Sequence, residues 1–208
     1  RVKAMIDACD IGEPMYALQT LFRFPYRPGA EGWRHDRSRV GSWILEEPVH
    51  AFDSVMWYLE RQGDPVSVLA LANGRHPEKG MEDNFTALLR FRGGAYAVVT
   101  ETLAAFEYHH VTEVVGREGS IRAWWSGTMD RTRQPAYELK VKRRGAGEAE
   151  TVTLAASGSG HSAYGVGLAV LQTRLTTVPS ATFWPAAVAT ADANTRCVES
   201  GMSVIRRV

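Results

Sequence analysis

The sequence predicts an α+β fold, a large open-faced and mainly antiparallel sheet with helices packed on one face. Segments between Pro65 and Lys142 alternate apolar and polar residues with the two-residue period of strands. The connections between them, such as Arg92-Gly93-Gly94 and Gly116-Arg117-Glu118-Gly119, are short and glycine-rich. A parallel crossover needs about a dozen residues or more, so these links force antiparallel pairing. Helical periodicity is confined to a few segments outside this run, which places helices on one side or end of a single sheet.

Val2, Met5, Ile6 and Cys9 fall on one face of an opening helix. Ile11-Gly12-Glu13-Pro14 ends it, with Gly12 as the C-terminal cap and Pro14 unable to continue the helix. From Tyr16 to Phe24 the chain alternates: Leu18, Thr20, Phe22 and Phe24 share one face, Gln19, Leu21 and Arg23 the other. Residues 25–39, rich in proline, glycine and charge, read as a loop. Pro48 suits a first helical position, and Val49, Phe52, Met56 and Leu59 repeat at helical spacing toward a core before Gly63 and Pro65 stop the helix. Strands are then expected over 65–72, 84–91, 96–106, 109–115, 120–125 and 137–142. Phe85, Ala87, Leu89 and Phe91 point to the core, whereas Thr86, Leu88 and Arg90 point away. Leu88, and Trp124 beside Trp125, put apolar surface on both faces, so the uncovered one is expected to be an interface between copies of the chain. Tyr164, Leu168, Leu171 and Leu175 predict a further helix, and a last one is expected from Pro185 to about Met202.

With 208 residues, 45% of them hydrophobic and 23% charged, the chain is long enough for one large domain. Lys plus Arg (24) nearly cancels Asp plus Glu (23), so there is no whole-protein field to draw nucleic acid or acidic membranes. Lys140, Lys142, Arg143 and Arg144 alternate with Leu139 and Val141 as a solvated hairpin does. No apolar run reaches the roughly 20 residues of a membrane-spanning helix. Cys9 and Cys197 form no disulfide framework or zinc spacing, which fits a reducing, cytoplasmic setting. The first residue already lies in helical periodicity without an initiator Met, leading to the expectation that an upstream part of the natural protein is missing from this chain.

The chemistry-bearing motifs are few. Gly165-Val166-Gly167-Leu168-Ala169-Val170 is the nearest approach to a dinucleotide fingerprint, but Val170 stands where a small residue belongs and a Gly/Ser loop precedes it instead of a strand. There is no P-loop, HExxH, EF-hand loop or GxSxG elbow. The strongest constellation is Glu46-Glu47-Pro48-Val49-His50-Ala51-Phe52-Asp53. Here His50 lies in the first helical turn with Asp53 three residues on, nearly over the same face. The helix macrodipole lowers its proton affinity while Glu46 and Asp53 raise it, leaving an imidazole poised near neutrality for general acid/base chemistry. The competing reading is a surface histidine satisfied by Asp53. Trp33, Arg34, His35, Asp36 and Arg37 are either a wall for an anionic or polyhydroxyl ligand or a charged surface loop. His161, just before a helix, is a further candidate. Adjacent on a strand, His109 and His110 face opposite ways and cannot share a metal.

In Ile11-Gly12-Glu13-Pro14, Gly41-Ser42-Trp43-Ile44-Leu45 running into Glu46, His50-Ala51-Phe52-Asp53, the segment Met81 to Phe91 and Val115-Gly116-Arg117-Glu118-Gly119-Ser120, the chain resembles the C-terminal domain of the Gfo/Idh/MocA oxidoreductases. The likeness covers nearly the whole chain. It implies that residues 1–208 form a substrate-binding and oligomerisation domain, with an N-terminal Rossmann domain outside this chain holding NAD or NADP. It further implies sugar, polyol or related hydroxy substrates, with hydride passing between substrate carbon and nicotinamide. By the same resemblance His50 takes the catalytic histidine position and shares the hydroxyl proton with a lysine of the absent Rossmann half. Glu46, four residues earlier, stands where the family commonly has Asp. Trp33, Arg34, Asp53 and His161 are the expected substrate-binding residues. The alternatives are a non-catalytic binding or oligomerisation module, or a degenerate member without activity.

Overall fold

The structure, a computed structural model, describes residues 1–127, 136–153 and 203–206. The helices expected over 164–175 and 185–202, and His161, lie outside the described residues. Among the described residues nine strands form one sheet: β1 (Pro14–Phe22), β2 (Pro65–Asn73), β3 (Asn84–Phe91), β4 (Tyr96–Thr102), β5 (Tyr108–Gly116), β6 (Gly119–Gly127), β7 (Ala136–Arg143), β8 (Glu150–Thr151) and β9 (Ser203–Arg206). Their order is β8-β7-β6-β5-β1-β4-β3-β2-β9. All neighbours pair antiparallel except β1 and β4, which run parallel from Tyr16 opposite Tyr96 to Phe22 opposite Thr102. The short link after β4 crosses the end of β1, where Arg23 N–H donates to the Thr102 carbonyl (3.0 Å) and Ala105 N–H to the Arg23 carbonyl (3.2 Å). That crossing lets one strand sit between two that are nearly consecutive in sequence.

The turns explain the antiparallel remainder. Gly116 and Gly119 close the β5–β6 hairpin as register partners. A Cβ on Gly116 would lie 2.2 Å from the Ile11 carbonyl oxygen, and one on Gly119 2.1 Å from that of Lys142. Close backbone approach, rather than a left-handed φ, therefore requires glycine at both positions.

One face of the sheet carries the core. Phe85, Ala87, Leu89 and Phe91 of β3, Ala97 and Val99 of β4, Ala17 of β1, Val114, Ile121, Leu139 and Val141 are all buried there. Against them pack α1 (Val2–Asp7) through Met5 and Ile6, and α4 (Pro48–Tyr58) through Ala51 and Val55. Between these helices in sequence lie α2 (Arg37–Val40) and α3 (Trp43–Glu46). The buried line of α4 is Pro48, Ala51 and Val55, continued by Leu59 as expected, in place of Val49, Phe52 and Met56. Ala51 and Val55 are small enough to let the helix approach the sheet. Phe52 and Met56 pack at its flanks, Phe52 stacking on Phe85 with centroids 5.9 Å apart.

Two other local expectations are corrected. The opening helix stops at Asp7, where Asp10 N–H bonds to the Met5 carbonyl and Cys9 N–H to that of Ile6, each at 3.0 Å. This is the Schellman pattern with Cys9 in the left-handed position (φ 60), so Cys9 is exposed and Gly12 serves a later turn against Glu118. The loop over 25–39 also contains order: a 3-10 turn at Ala30–His35, then α2 capped by Asp36, which accepts from Ser38 N–H at 2.9 Å. Ser42 caps α3 by accepting from Ile44 N–H at 3.1 Å. Tyr26, Trp43, Met81 and Leu103 bury together beneath these turns in a small second core. Among the described residues no helix is long and apolar enough to cross a membrane.

Candidate functional site

A residue before proline avoids the helical region, which breaks the chain at Glu47 (φ −129) and separates α3 from α4. Pro48 then restarts the helix, and His50 sits in its first turn with its N–H donating to the Glu47 carbonyl at 3.0 Å. The His50 side chain is half-buried, and its Nδ1 has no hydrogen-bond partner among the described residues. Asp53, one turn on, is also half-buried.

Both acidic residues ahead of Pro48 are tied to arginines. Arg34 Nε donates to Glu46 Oε1 at 2.7 Å, with Glu46 the more buried partner. The Arg34 guanidinium lies 4.8 Å from the Trp33 ring centroid and 5.8 Å from that of Tyr26. Trp43 Nε1 donates to the Arg34 carbonyl at 2.7 Å, fixing the loop that carries Trp33 and Arg34 beside α3. The structure thus gathers Trp33, Arg34 and Glu46 at the foot of the helix bearing His50. His35 and Asp36 have other roles: His35 Nε2 meets the Tyr26 carbonyl at 3.1 Å, and Asp36 caps α2.

Arg23, Tyr26, Glu47 and Glu101 complete the cluster; Glu47 belongs to the constellation from Glu46 to Asp53 and Tyr26 to the 25–39 loop, whereas no motif in the sequence singles out Arg23 or Glu101. Arg23, at the end of β1, pairs with Glu47 with both side chains largely buried, and its guanidinium stacks 4.3 Å from the Tyr26 ring centroid. Glu101 is only 4% exposed, at the end of the core-facing row Ala97, Val99, Glu101. Burial pushes its carboxyl up to about 8, against the opposing pull of Arg23. The Tyr26 phenol is pushed above its ordinary value by burial and next by the charge of Glu101. The signal that could have found them is polar residues ending apolar stripes, Arg23 after Leu21 and Glu101 after Val99.

The histidine pair behaves as the alternation requires. His110 faces the core beside Gln19, whose Oε1 accepts from Thr112 Oγ1 at 3.0 Å, and burial pushes the imidazole down to about 4. His109 stacks on Phe22 on the opposite face, with centroids 4.7 Å apart. No group of three or more metal-ligating side chains occurs among the described residues.

Residues 1–122 match the model of the GFO/IDH/MocA C-terminal domain. The chain belongs to the Gfo/Idh/MocA family. Solved structures share its fold at low identity. Aldose-aldose oxidoreductase from Caulobacter crescentus, complexed with glycerol, superposes with a TM-score of 0.60 at 15% identity, over 85% of this chain and 49% of that one. A levoglucosan dehydrogenase in complex with NADH and levoglucosan gives 0.58 at 23%, over 74% and 43%. An inositol dehydrogenase homolog from Azotobacter vinelandii, complexed with NAD+, gives 0.56 at 16%, over 73% and 39%. The chain spans less than half the length of each of these Gfo/Idh/MocA structures.

Proposed function

We propose that this chain is the substrate-binding half of an NAD(P)-dependent oxidoreductase acting on a sugar, polyol or related hydroxy compound. The observation that carries this reading is His50, half-buried at the start of α4 with Nδ1 unpartnered among the described residues and two acid–arginine pairs at its foot. The nicotinamide supplies hydride acceptance or donation. The residues of this chain fit the complementary proton transfer, in which His50 takes or returns the proton of the reacting hydroxyl while Glu46, Arg34 and Trp33 border the space beside it. The nearest approach to a dinucleotide fingerprint, Gly165 to Val170, carries Val170 where a small residue belongs and so does not fit the phosphates. The cofactor is therefore held mainly by a Rossmann domain of the full-length protein. Residues 1–208 alone are expected to show no micromolar affinity for NADH or NADPH by calorimetric titration. The full-length protein should form NAD(P)H with some member of a sugar and polyol panel, and silence across that panel would remove the reading.

The face of the sheet that no described helix covers supports self-association. Leu69 opposite Leu88, Leu88 opposite Val98 and Val98 opposite Leu18 make a continuous apolar row across four strands. Leu69 is 52% and Leu88 39% exposed. An apolar row of this extent marks an interface, here with a second copy. Sedimentation at micromolar concentration should find an oligomer for the natural sequence and a folded monomer for Leu88→Lys. A monomeric natural protein would end the idea.

A further inference from the structure

Among the described residues, four buried side-chain atoms have no hydrogen-bond partner, and Tyr26 Oη and Glu101 Oε1 are two of them. They belong to one cluster: Arg23 stacks 4.3 Å from the Tyr26 ring centroid and lies two residues beyond Leu21, the register partner of Glu101, and its charge acts on both groups. Tyr26 is 5% and Glu101 4% exposed, so neither group is satisfied by bulk water. A buried donor or acceptor without a partner destabilises the fold, and two in one cluster point to a ligand that supplies both partners. We propose that Tyr26 and Glu101 form a subsite for a neutral hydroxyl group of the substrate, one that is not the reacting hydroxyl. The inference rests on the functional reading above and adds specificity-determining residues to it.

The charges around the subsite select the ligand class. Arg23, Arg34, Glu46 and Glu101 all act on Tyr26, so charges of both signs surround it and no single sign is favoured in a ligand. The charge of Arg23 is already engaged by Glu47 and that of Arg34 by Glu46, which leaves no free cation to hold an anion. Burial keeps the phenol protonated and favours the protonated form of the Glu101 carboxyl below about 8. Each group then offers one donor and acceptor lone pairs, which complements an alcohol. Arg34, whose side chain is 33% exposed, lies 5.8 Å from the Tyr26 ring centroid and is the partner of Glu46.

The test is kcat/KM of the full-length protein on an accepted polyol and on analogues each lacking one hydroxyl, with melting temperatures on the same preparations. Tyr26→Phe and Glu101→Leu should each lower kcat/KM on the parent polyol by about tenfold to a hundredfold. On the one analogue without the recognised hydroxyl the loss should shrink to within about threefold, because the partner has already gone. Glu101→Gln, which keeps a donor and an acceptor, should retain most of the activity. Equal losses on every analogue, or no loss on any, would overturn the subsite while leaving the functional reading in place. A wild-type protein that turns over no polyol overturns both. Near-normal turnover in His50→Ala with the analogue pattern intact would remove the role of His50 and leave the subsite standing.

Discussion

Replacing His50 with alanine is expected to lower kcat/KM of the full-length protein by about a hundredfold to ten-thousandfold, the usual cost of losing a positioned general acid or base. Cofactor affinity and melting temperature should stay close to wild type. The expectation follows from its placement. The break at Glu47 and the restart at Pro48 fix the His50 backbone, whose N–H is bonded to the Glu47 carbonyl, while Nδ1 is left without a partner among the described residues. His50→Asn keeps a hydrogen-bonding side chain that cannot titrate, so it should recover substrate binding better than turnover. A histidine with only a structural role gives the reverse: activity per folded molecule near wild type, with any loss tracking a lower melting temperature. Measuring both on the same preparations separates the two outcomes.

Arg23→Met should cost about 3–5 kcal/mol of stability, because it leaves the Glu47 carboxylate largely buried without its cation. Glu47→Gln alone should be destabilising for the mirror reason. The double variant should lose far less than the sum, since two uncharged side chains then share the space without an uncompensated charge. Urea unfolding of the four proteins measures the coupling, and additive losses would show that the pair contributes nothing as a pair. The same ion pair joins the end of β1 to the break before α4, so the Arg23 variants report on how firmly the foot of the His50 helix is held.

Much of this fold is legible in the sequence because alternation and tight turns are local properties. The β3 stripe from Phe85 to Phe91 and the glycines at 116 and 119 specify a face and a hairpin within a few residues. Other features depend on distant partners. Nothing near Cys9 shows that it, and not Gly12, is the left-handed residue that closes α1, because that is decided by where Asp10 and Cys9 find carbonyls in α1; Gly12 (φ 69) is left-handed in the turn that follows. The helical repeat of large apolar residues sets the buried face of α4 about one residue off, since Ala51 is a weak hydrophobic signal but a good fit against a sheet. For the candidate site, His50, Glu46, Arg34 and Trp33 can be named from motif and composition and do lie close together in the fold. Arg23, Tyr26 and Glu101 join them only when strands β1 and β4 pair, a contact no local pattern encodes.

The position of β1 has a consequence for how the chain acquires its structure. The strand at the middle of the sheet leaves the ribosome ahead of the other strands described in that sheet, yet its two neighbours follow much later: Tyr16 pairs with Tyr96 and with Val115, some eighty and a hundred residues downstream. Until β4 and β5 have emerged, β1 is an unpaired edge with Ala17, Gln19 and Leu21 on its core side, while β2 and β3 can already form a local hairpin. Closing such long loops before they are rewarded by contacts slows folding toward the millisecond-to-second range typical of non-local sheets. Completion of the sheet and assembly of the Arg23, Tyr26 and Glu101 cluster are then a single event. The cluster matures only when the earliest strand of this sheet is finally enclosed by later ones.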